Sequence, residues 1–250
     1  MYSRIMGITS SKNSTIRFLL SCFLLVPLLN AFSQEENLPV KEEIAIKIDS
    51  LYREDQFYFG LTYNTLQQKP AGLSQNKLST GLSFGFLRDM PVNKDRTIAI
   101  ASGLGFSYNT YNENLAITGT NQLPVYNIID SNVSYDKNKF TQLLIDLPIE
   151  FRWRTSTYES YKFWRIYGGV KFSYLLYDKS IFSDGSGKTV ITGNKDFNNF
   201  LYGLYISAGY NTINVYAYYG LNSIFKNSAS INGEALAIKS LNMGVVFYIL

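Results

Sequence analysis

The stretch Thr141-Gln142-Leu143-Leu144-Ile145-Asp146-Leu147-Pro148-Ile149-Glu150-Phe151-Arg152-Trp153-Arg154 alternates between two kinds of side chain, with a period of two residues. Its odd-numbered positions are all uncharged, whereas its even-numbered positions carry two acidic and two basic side chains. Successive side chains of a β-strand point to opposite faces, so this period of two predicts a strand with one apolar and one polar face. The chain is therefore expected to contain a sheet whose faces meet different surroundings.

Seven further segments repeat this alternation and are rich in aromatic and β-branched residues. Each is about ten to fourteen residues long, which suits a tilted strand that crosses a bilayer. The eight predicted strands are Gln56–Leu66, Leu78–Arg88, Thr97–Asn109, Phe140–Arg154, Trp164–Tyr177, Phe200–Tyr210, Ile213–Ile224 and Leu236–Leu250.

Alternation alone fits either a soluble sandwich, with its apolar face in a core, or a membrane barrel, with its apolar face toward lipid. The connections favour the barrel, because every odd-numbered connection is longer than both of its neighbours. The longest are 110–139 and 178–199, and the shortest is 211–212. Short turns on one side and long loops on the other are typical of outer-membrane barrels. We predict an all-β fold, an eight-stranded antiparallel up-and-down transmembrane β-barrel over residues 56–250.

The N-terminus has the features of an export signal. A basic leader without acidic residues precedes the apolar run Phe18–Leu29, and Ala31-Phe32-Ser33 offers a small-x-small cleavage site before Gln34. The run is short for a spanning helix, so residues 1–33 are predicted to be a cleaved signal peptide. A retained anchor helix and a lipoprotein signal ending at Cys22 are the alternatives.

Residues 34–55 are predicted to be a periplasmic N-terminal segment. Ile44, Ile48 and Leu51 recur at helical spacing within it, which indicates a short helix. An isolated helix of this length is marginal in water, so a frayed tail is the other interpretation.

The composition excludes several function classes. Charged residues make up only 17% of the chain and histidine is absent. Without histidine there is no Ser-His or Cys-His pair and no histidine metal cluster, and the sequence points to no catalytic, cofactor-binding or metal-binding residue. Loss of residues 1–33 lowers the formal net charge from +4 to +1, which leaves no electrostatic footprint for nucleic acid. We therefore expect a non-enzymatic protein without cofactors.

The polar faces of the fourth and fifth predicted strands carry charges toward the barrel interior. These residues are Asp146, Glu150, Arg152, Arg154, Arg165 and Lys171. They form either a polar conduit or binding cluster, or a salt-bridge network that fills the interior. Eight strands enclose only enough space for packed side chains, which favours the network.

Aromatic residues near the strand ends are expected to lie at the level of the lipid headgroups. They are Tyr108, Trp153, Trp164, Tyr174, Tyr177 and Tyr210. Simple alternation along the fifth strand also places Tyr177 on the polar face with Arg165. At the chain end, Asn242–Ile249 resembles the signal that the barrel-assembly machinery recognises, although an ordinary amphipathic last strand gives the same pattern.

Four phrases resemble the PorT family of outer-membrane proteins, and the resemblance extends over roughly residues 50–250. They are Arg53-Glu54-Asp55-Gln56-Phe57-Tyr58-Phe59-Gly60, Gly85-Phe86-Leu87-Arg88-Asp89-Met90-Pro91-Val92-Asn93, Leu147-Pro148-Ile149-Glu150-Phe151-Arg152-Trp153-Arg154-Thr155-Ser156 and Phe163-Trp164-Arg165-Ile166-Tyr167-Gly168-Gly169.

The resemblance implies an outer-membrane location and a part in the type IX secretion system, which exports proteins and in some bacteria supports gliding motility. It implies other secretion components as partners, and the apolar strand faces and the C-terminal phrase add outer-membrane lipid and the barrel-assembly machinery. A barrel of eight strands has no room for folded cargo, so an accessory or scaffolding role is expected. A small passive porin or purely structural barrel is the alternative, and an enzyme acting on lipid or peptide is a further one that the missing histidine disfavours.

Overall fold

A computed structural model of the chain describes residues 53–157 and 162–249, and the predicted signal peptide and almost all of segment 34–55 lie outside these ranges. The described residues form thirteen β-strands, and they contain no helix long and apolar enough to span a membrane. The strands are β1 Gln56–Gln67, β2 Thr80–Pro91, β3 Ile98–Tyr111, β4 Leu115–Gly119, β5 Pro124–Ile128, β6 Lys137–Arg154, β7 Trp164–Asp184, β8 Gly187–Thr192, β9 Phe200–Tyr210, β10 Ile213–Gly220, β11 Ser230–Ile231, β12 Glu234–Ala235 and β13 Lys239–Ile249.

Eight of these strands close into a ring. Their order is β6-β3-β2-β1-β13-β10-β9-β7, and β6 also pairs with β7. Every pairing in the ring is antiparallel, and β1 joins β13 from Phe57 opposite Ile249 to Gln67 opposite Lys239. Closure leaves no strand edge in the ring without a partner. The predicted eight-stranded antiparallel barrel is confirmed, and its sixth strand coincides with β9.

Short connections join β2 to β3, β6 to β7 and β9 to β10 at one end of the barrel, where β1 begins and β13 ends. We call this the short-turn end, and the opposite end the long-loop end. At the long-loop end β8 pairs with β7, and two hairpins, β4–β5 and β11–β12, fold within the loops. These five short strands were not predicted.

The barrel is apolar outside and polar inside. Along β6, Leu147, Ile149, Phe151 and Trp153 are exposed, and the residues between and after them are buried. The six aromatic residues predicted near the headgroup level are also exposed on the outer surface. An outer face of this composition is suited to contact with lipid rather than water.

Because β7 contains a β-bulge, the prediction that Tyr177 lies on the inner face is wrong. Leu143 pairs with Tyr177 and Leu144 with Leu175, so Leu176 has no partner in β6. The extra residue reverses the alternation beyond it. Tyr177 consequently lies on the outer surface, 45% exposed, and not on the polar inner face with Arg165.

Candidate functional site

All six charged residues predicted to point inward do so. Asp146, Glu150, Arg152, Arg154 and Arg165 are buried, and the Lys171 side chain is nearly so. Together with Glu54 and Asp89 they form what we call the polar cluster, which fills the short-turn half of the barrel interior.

Asp89 is the carboxylate that two arginines share. The Arg154 guanidinium donates to both of its oxygens in a bidentate pair, at 2.8 Å for each contact. Arg152 Nη1 donates to Asp89 Oδ1 at 2.8 Å, and Arg152 Nε donates to Glu150 Oε1 at 2.7 Å. Buried charges are tolerated only with such pairing, because desolvation of each ion is costly. The contacts therefore favour the salt-bridge network over a free binding cluster.

Arg165 is held differently. Within the described ranges no carboxylate lies within ion-pair distance of it, and its Nε and Nη1 atoms have no hydrogen-bond partner. Its guanidinium lies 4.4 Å from the centre of the Phe163 ring and 5.6 Å from that of Tyr248. Cation–π attraction to these rings stabilises the buried guanidinium.

A second ion pair lies farther along the interior. Lys171 Nζ is 3.7 Å from Asp146 Oδ2 and 4.4 Å from the centre of the Tyr218 ring, and Ser173 donates to Asp146 at 2.5 Å. The Tyr205 hydroxyl donates to Glu150 Oε2 at 2.7 Å. A cavity of about 30 Å³ remains between these groups. That volume holds roughly one water molecule, so this part of the interior is filled by side chains.

The long-loop half of the interior is filled by an apolar cluster. Four packed aromatic rings lie at its centre: the ring centre of Tyr111 is 4.9 Å from that of Phe140, Phe140 is 5.6 Å from Phe197, and Phe197 is 4.8 Å from Phe225. Its members are Leu66, Leu73, Tyr111, Leu115, Ile117, Tyr126, Phe140, Ile191, Phe197, Ile224, Phe225, Ala229, Leu236 and Ile238.

Hydrogen bonds between the loops hold a cap over the apolar cluster. The Tyr126 hydroxyl contacts Asp196 Oδ2 at 3.1 Å, and Ser228 donates to Asp196 Oδ1 at 2.6 Å. Burial raises the pKa of Tyr126, which keeps its hydroxyl protonated as a donor. Asp196 thus joins three separate loops, and the cap closes the long-loop end.

Asp89 and Glu54 were not among the inward-facing charges predicted from the sequence. The second predicted strand ended at Arg88, so Asp89 was assigned to a turn, whereas β2 continues to Pro91 and turns Asp89 inward. Continuing the period of two beyond Leu87 would have identified it. The tyrosines around the cavity were missed as well, because tyrosine occurs on both faces of these strands.

The chain is similar to two solved structures. The first is Ail, the attachment invasion locus protein of Yersinia pestis, which is 12% identical to this chain in sequence, with a TM-score of 0.34; the matched region covers 79% of this chain and 99% of Ail. A structure from work on the asymmetric conductivity of engineered proteins is 10% identical with a TM-score of 0.20, covering 78% of this chain and 99% of that one. No curated protein matches. The profile of the outer membrane protein beta-barrel domain family matches residues 32–226, so the chain belongs to that family and is an outer-membrane β-barrel protein.

Proposed function

We propose that the chain is a non-enzymatic accessory component of the type IX secretion system, holding other components in place without conducting cargo. Support for this system comes from the PorT-like phrases of the sequence. Support for a scaffold comes from one observation, the filling of the interior by the polar cluster at one end and the apolar cluster at the other. An exported polypeptide needs a continuous wet passage, which packed side chains deny.

The same filling disfavours the alternative of a small passive porin. A porin depends on a water-filled lumen, whereas the cavity between Asp146 and Tyr205 has room for about one water. Conductance of the purified protein in planar bilayers is the discriminating measurement. We expect no steady ionic current, and a steady current would favour the porin.

In the proposed arrangement the short-turn end and both termini lie in the periplasm, and the long loops face the exterior. Residues 1–33 are removed on export, and residues 34–55 lie in the periplasm. The outward apolar face contacts outer-membrane lipid. The last strand, with the phrase Asn242–Ile249, engages the barrel-assembly machinery during insertion. No nucleic acid is expected among the partners.

The turn after β2 is a suitable contact surface for another secretion component. Asn93 fixes its shape, accepting a hydrogen bond from the Ile98 backbone N–H at 2.9 Å and donating to the Thr97 hydroxyl at 2.8 Å. Lys94 and Asp95 are exposed at its tip. Interaction sites commonly lie on such rigidly presented loops.

Gene deletion tests the proposal. We expect cargo with a C-terminal sorting domain to accumulate in the periplasm, while other outer-membrane proteins and the lipid profile stay normal. Complementation with wild-type protein should restore secretion. The charge reversal K94E should restore it less well than K188E, a matched change of an exposed lysine at the long-loop end. Normal secretion after deletion would remove the proposal, and an altered lipid profile would favour the enzyme.

A further inference from the structure

A second cavity lies outside the barrel interior, among the loops of the long-loop end. It is an open cleft of about 460 Å³ between residues 72–76, which follow β1, and residues 128–135, which begin at the last residue of β5. A volume of this order is typical of small-molecule sites. Nothing in the polar or apolar cluster accounts for it.

The base of the cleft is preformed. Asn114 is buried beneath it, and its side chain accepts from the Ser74 backbone N–H at 2.7 Å and donates to the carbonyl oxygens of Gly72 at 2.9 Å and Ile129 at 3.1 Å. Two backbone hydrogen bonds, from Asn114 to Ser74 and from Ile129 to Asn114, join the same segments at 2.9 and 2.8 Å. One buried amide thus fixes both walls, which lowers the cost of ordering them around a ligand.

Several polar groups lining the cleft retain unused hydrogen-bonding capacity. The Asp130 carboxylate and the Ser131 hydroxyl form no hydrogen bond or ion pair within residues 53–157 and 162–249. The Tyr135 hydroxyl accepts from Asn76 Nδ2 at 2.7 Å, which leaves its own proton free to donate. The cleft therefore presents a charged acceptor, a hydroxyl and an oriented phenol together.

Apolar surface lies beside these groups. Val133 is 51% exposed, and Ile128 is partly buried at the cleft wall opposite Gly72. These groups complement a ring with hydroxyls on its edge and C–H groups on its faces. The carboxylate can accept hydrogen bonds from two neighbouring hydroxyls, and the phenol can donate to a third oxygen. The aliphatic wall can pack against a face of the ring.

We propose that this cleft binds a neutral pyranose unit of a saccharide. Asp130 accepts from adjacent sugar hydroxyls, Tyr135 donates to a sugar oxygen, and the C–H face of the ring lies against Ile128 and Val133. A free oligosaccharide and the glycan of a surface lipopolysaccharide offer this same unit. The inference does not depend on the secretion role.

Saturation-transfer difference NMR on the full mature barrel tests the proposal, with the methyl α-glycosides of glucose, galactose and mannose as probes. The detergent must be non-glycosidic, because a maltoside head group is itself a pyranose. We expect transfer from at least one probe with a Kd on the order of 1 mM, weakened about tenfold by D130A and less by Y135F. D136N removes an exposed carboxylate of the same loop outside the cleft and should bind as wild type does.

Folding of each variant is checked by its heat-dependent shift on gels. Absence of transfer from all three probes at about 10 mM, or equal binding by D130A, Y135F and wild type, would overturn the proposal. Glucosamine is added as a cationic control probe, and binding of glucosamine without binding of the three neutral probes would also overturn the proposal, since a cation would then be the ligand. Repeating the measurement in vesicles with lipopolysaccharide identifies the source, because transfer is lost if surface glycan occupies the cleft and kept if free oligosaccharide is the ligand.

Discussion

The two halves of the barrel interior are filled by opposite chemistries. In the short-turn half, Asp89 of β2 and Glu150 of β6 form ion pairs with the two β6 arginines, and the Tyr167 ring lies against the Arg152 guanidinium. The long-loop half contains packed phenyl rings under loops joined by Asp196. The polar half obtains its order from directional bonds, and the apolar half from close packing. Loss of an ion-pair partner should therefore lower the unfolding free energy most in the polar half, and loss of side-chain volume should do so in the apolar half.

The largest effect is expected for D89A. Removal of the shared carboxylate leaves Arg154 buried without its ion pair and leaves Arg152 with Glu150 alone, at a cost of about 3–5 kcal/mol in unfolding free energy. Urea unfolding in phospholipid vesicles measures this through the outward-facing Trp153 and Trp164. D95N, at the exposed tip of the adjacent turn, should change the value by less than about 0.5 kcal/mol. A cost for D89A below about 1 kcal/mol would show that the pairs do not stabilise this half.

F140A is expected to have the next largest effect. The ring is fully buried among Tyr111, Phe197 and Phe225, so its removal opens a cavity and costs about 3 kcal/mol. Proteolysis of the long loops should accelerate. L123A, at an exposed loop position, is the control. In the double variant D89A/F140A the two costs should add to within about 0.5 kcal/mol, and a larger coupling would mean that the halves are not independent.

G169A tests how closely the backbone of β6 approaches β7 in the polar half. A Cβ atom on Gly169 would clash with the Ile149 carbonyl oxygen and lie 2.7 Å from the Glu150 Cα, so this substitution should cost about 1–3 kcal/mol. Gly168 is its neighbour on the outer face, and a Cβ there meets nothing closer than 3.6 Å. G168A should therefore be neutral or slightly stabilising. Equal costs for the two variants would contradict this close approach of the β6 backbone.

The outer wall could be predicted from the sequence, because its determinants are local. The period of two predicted which residues of β6 face outward and how many strands the chain has, and the unequal connections favoured a barrel over a sandwich. The bulge at Leu176 escaped because nothing in the alternation of β7 alone reveals an unpaired residue. The bulge is set by the hydrogen-bonded pairing of β7 with β6, which is a contact between two strands and not a property of one.

The two filled halves were predictable to different degrees. The charges of the polar cluster lie on neighbouring strands with clear alternation, so most were identified, and only Asp89 and Glu54, at strand ends, were missed. The apolar cluster combines Leu66, Phe140, Phe197 and Phe225, which are distant in sequence and partly in loops. Its assembly depends on the folded cap, which no local pattern specifies. The unpredicted strands β4, β5 and β8 belong to the same cap.

The smallest effect is expected at Glu113, a charged exception at the edge of the apolar half. Glu113 follows β3 in the loop and is 2% exposed, and Lys69 lies 3.5 Å from its Oε2 atom. Burial raises the pKa of Glu113 above its ordinary value of 4.5, although Lys69 opposes the shift. A carboxyl group with a raised pKa in the folded state stabilises the fold below the unfolded-state value. That contribution is lost as the pH rises through the folded-state value.

The change E113Q, which mimics the protonated acid, should therefore flatten this part of the pH profile. Unfolding midpoints of wild type and E113Q should converge near pH 4.5, and wild type should fall behind as the pH rises. K69Q removes the opposing cation and should steepen the loss in wild-type Glu113 protein. Parallel profiles for wild type and E113Q would mean that Glu113 titrates alike in the folded and unfolded chains. The cap over the apolar half would then admit enough water to solvate a carboxylate. The difference between the two halves would in that case hold for the strands of the barrel and not for the loops above them.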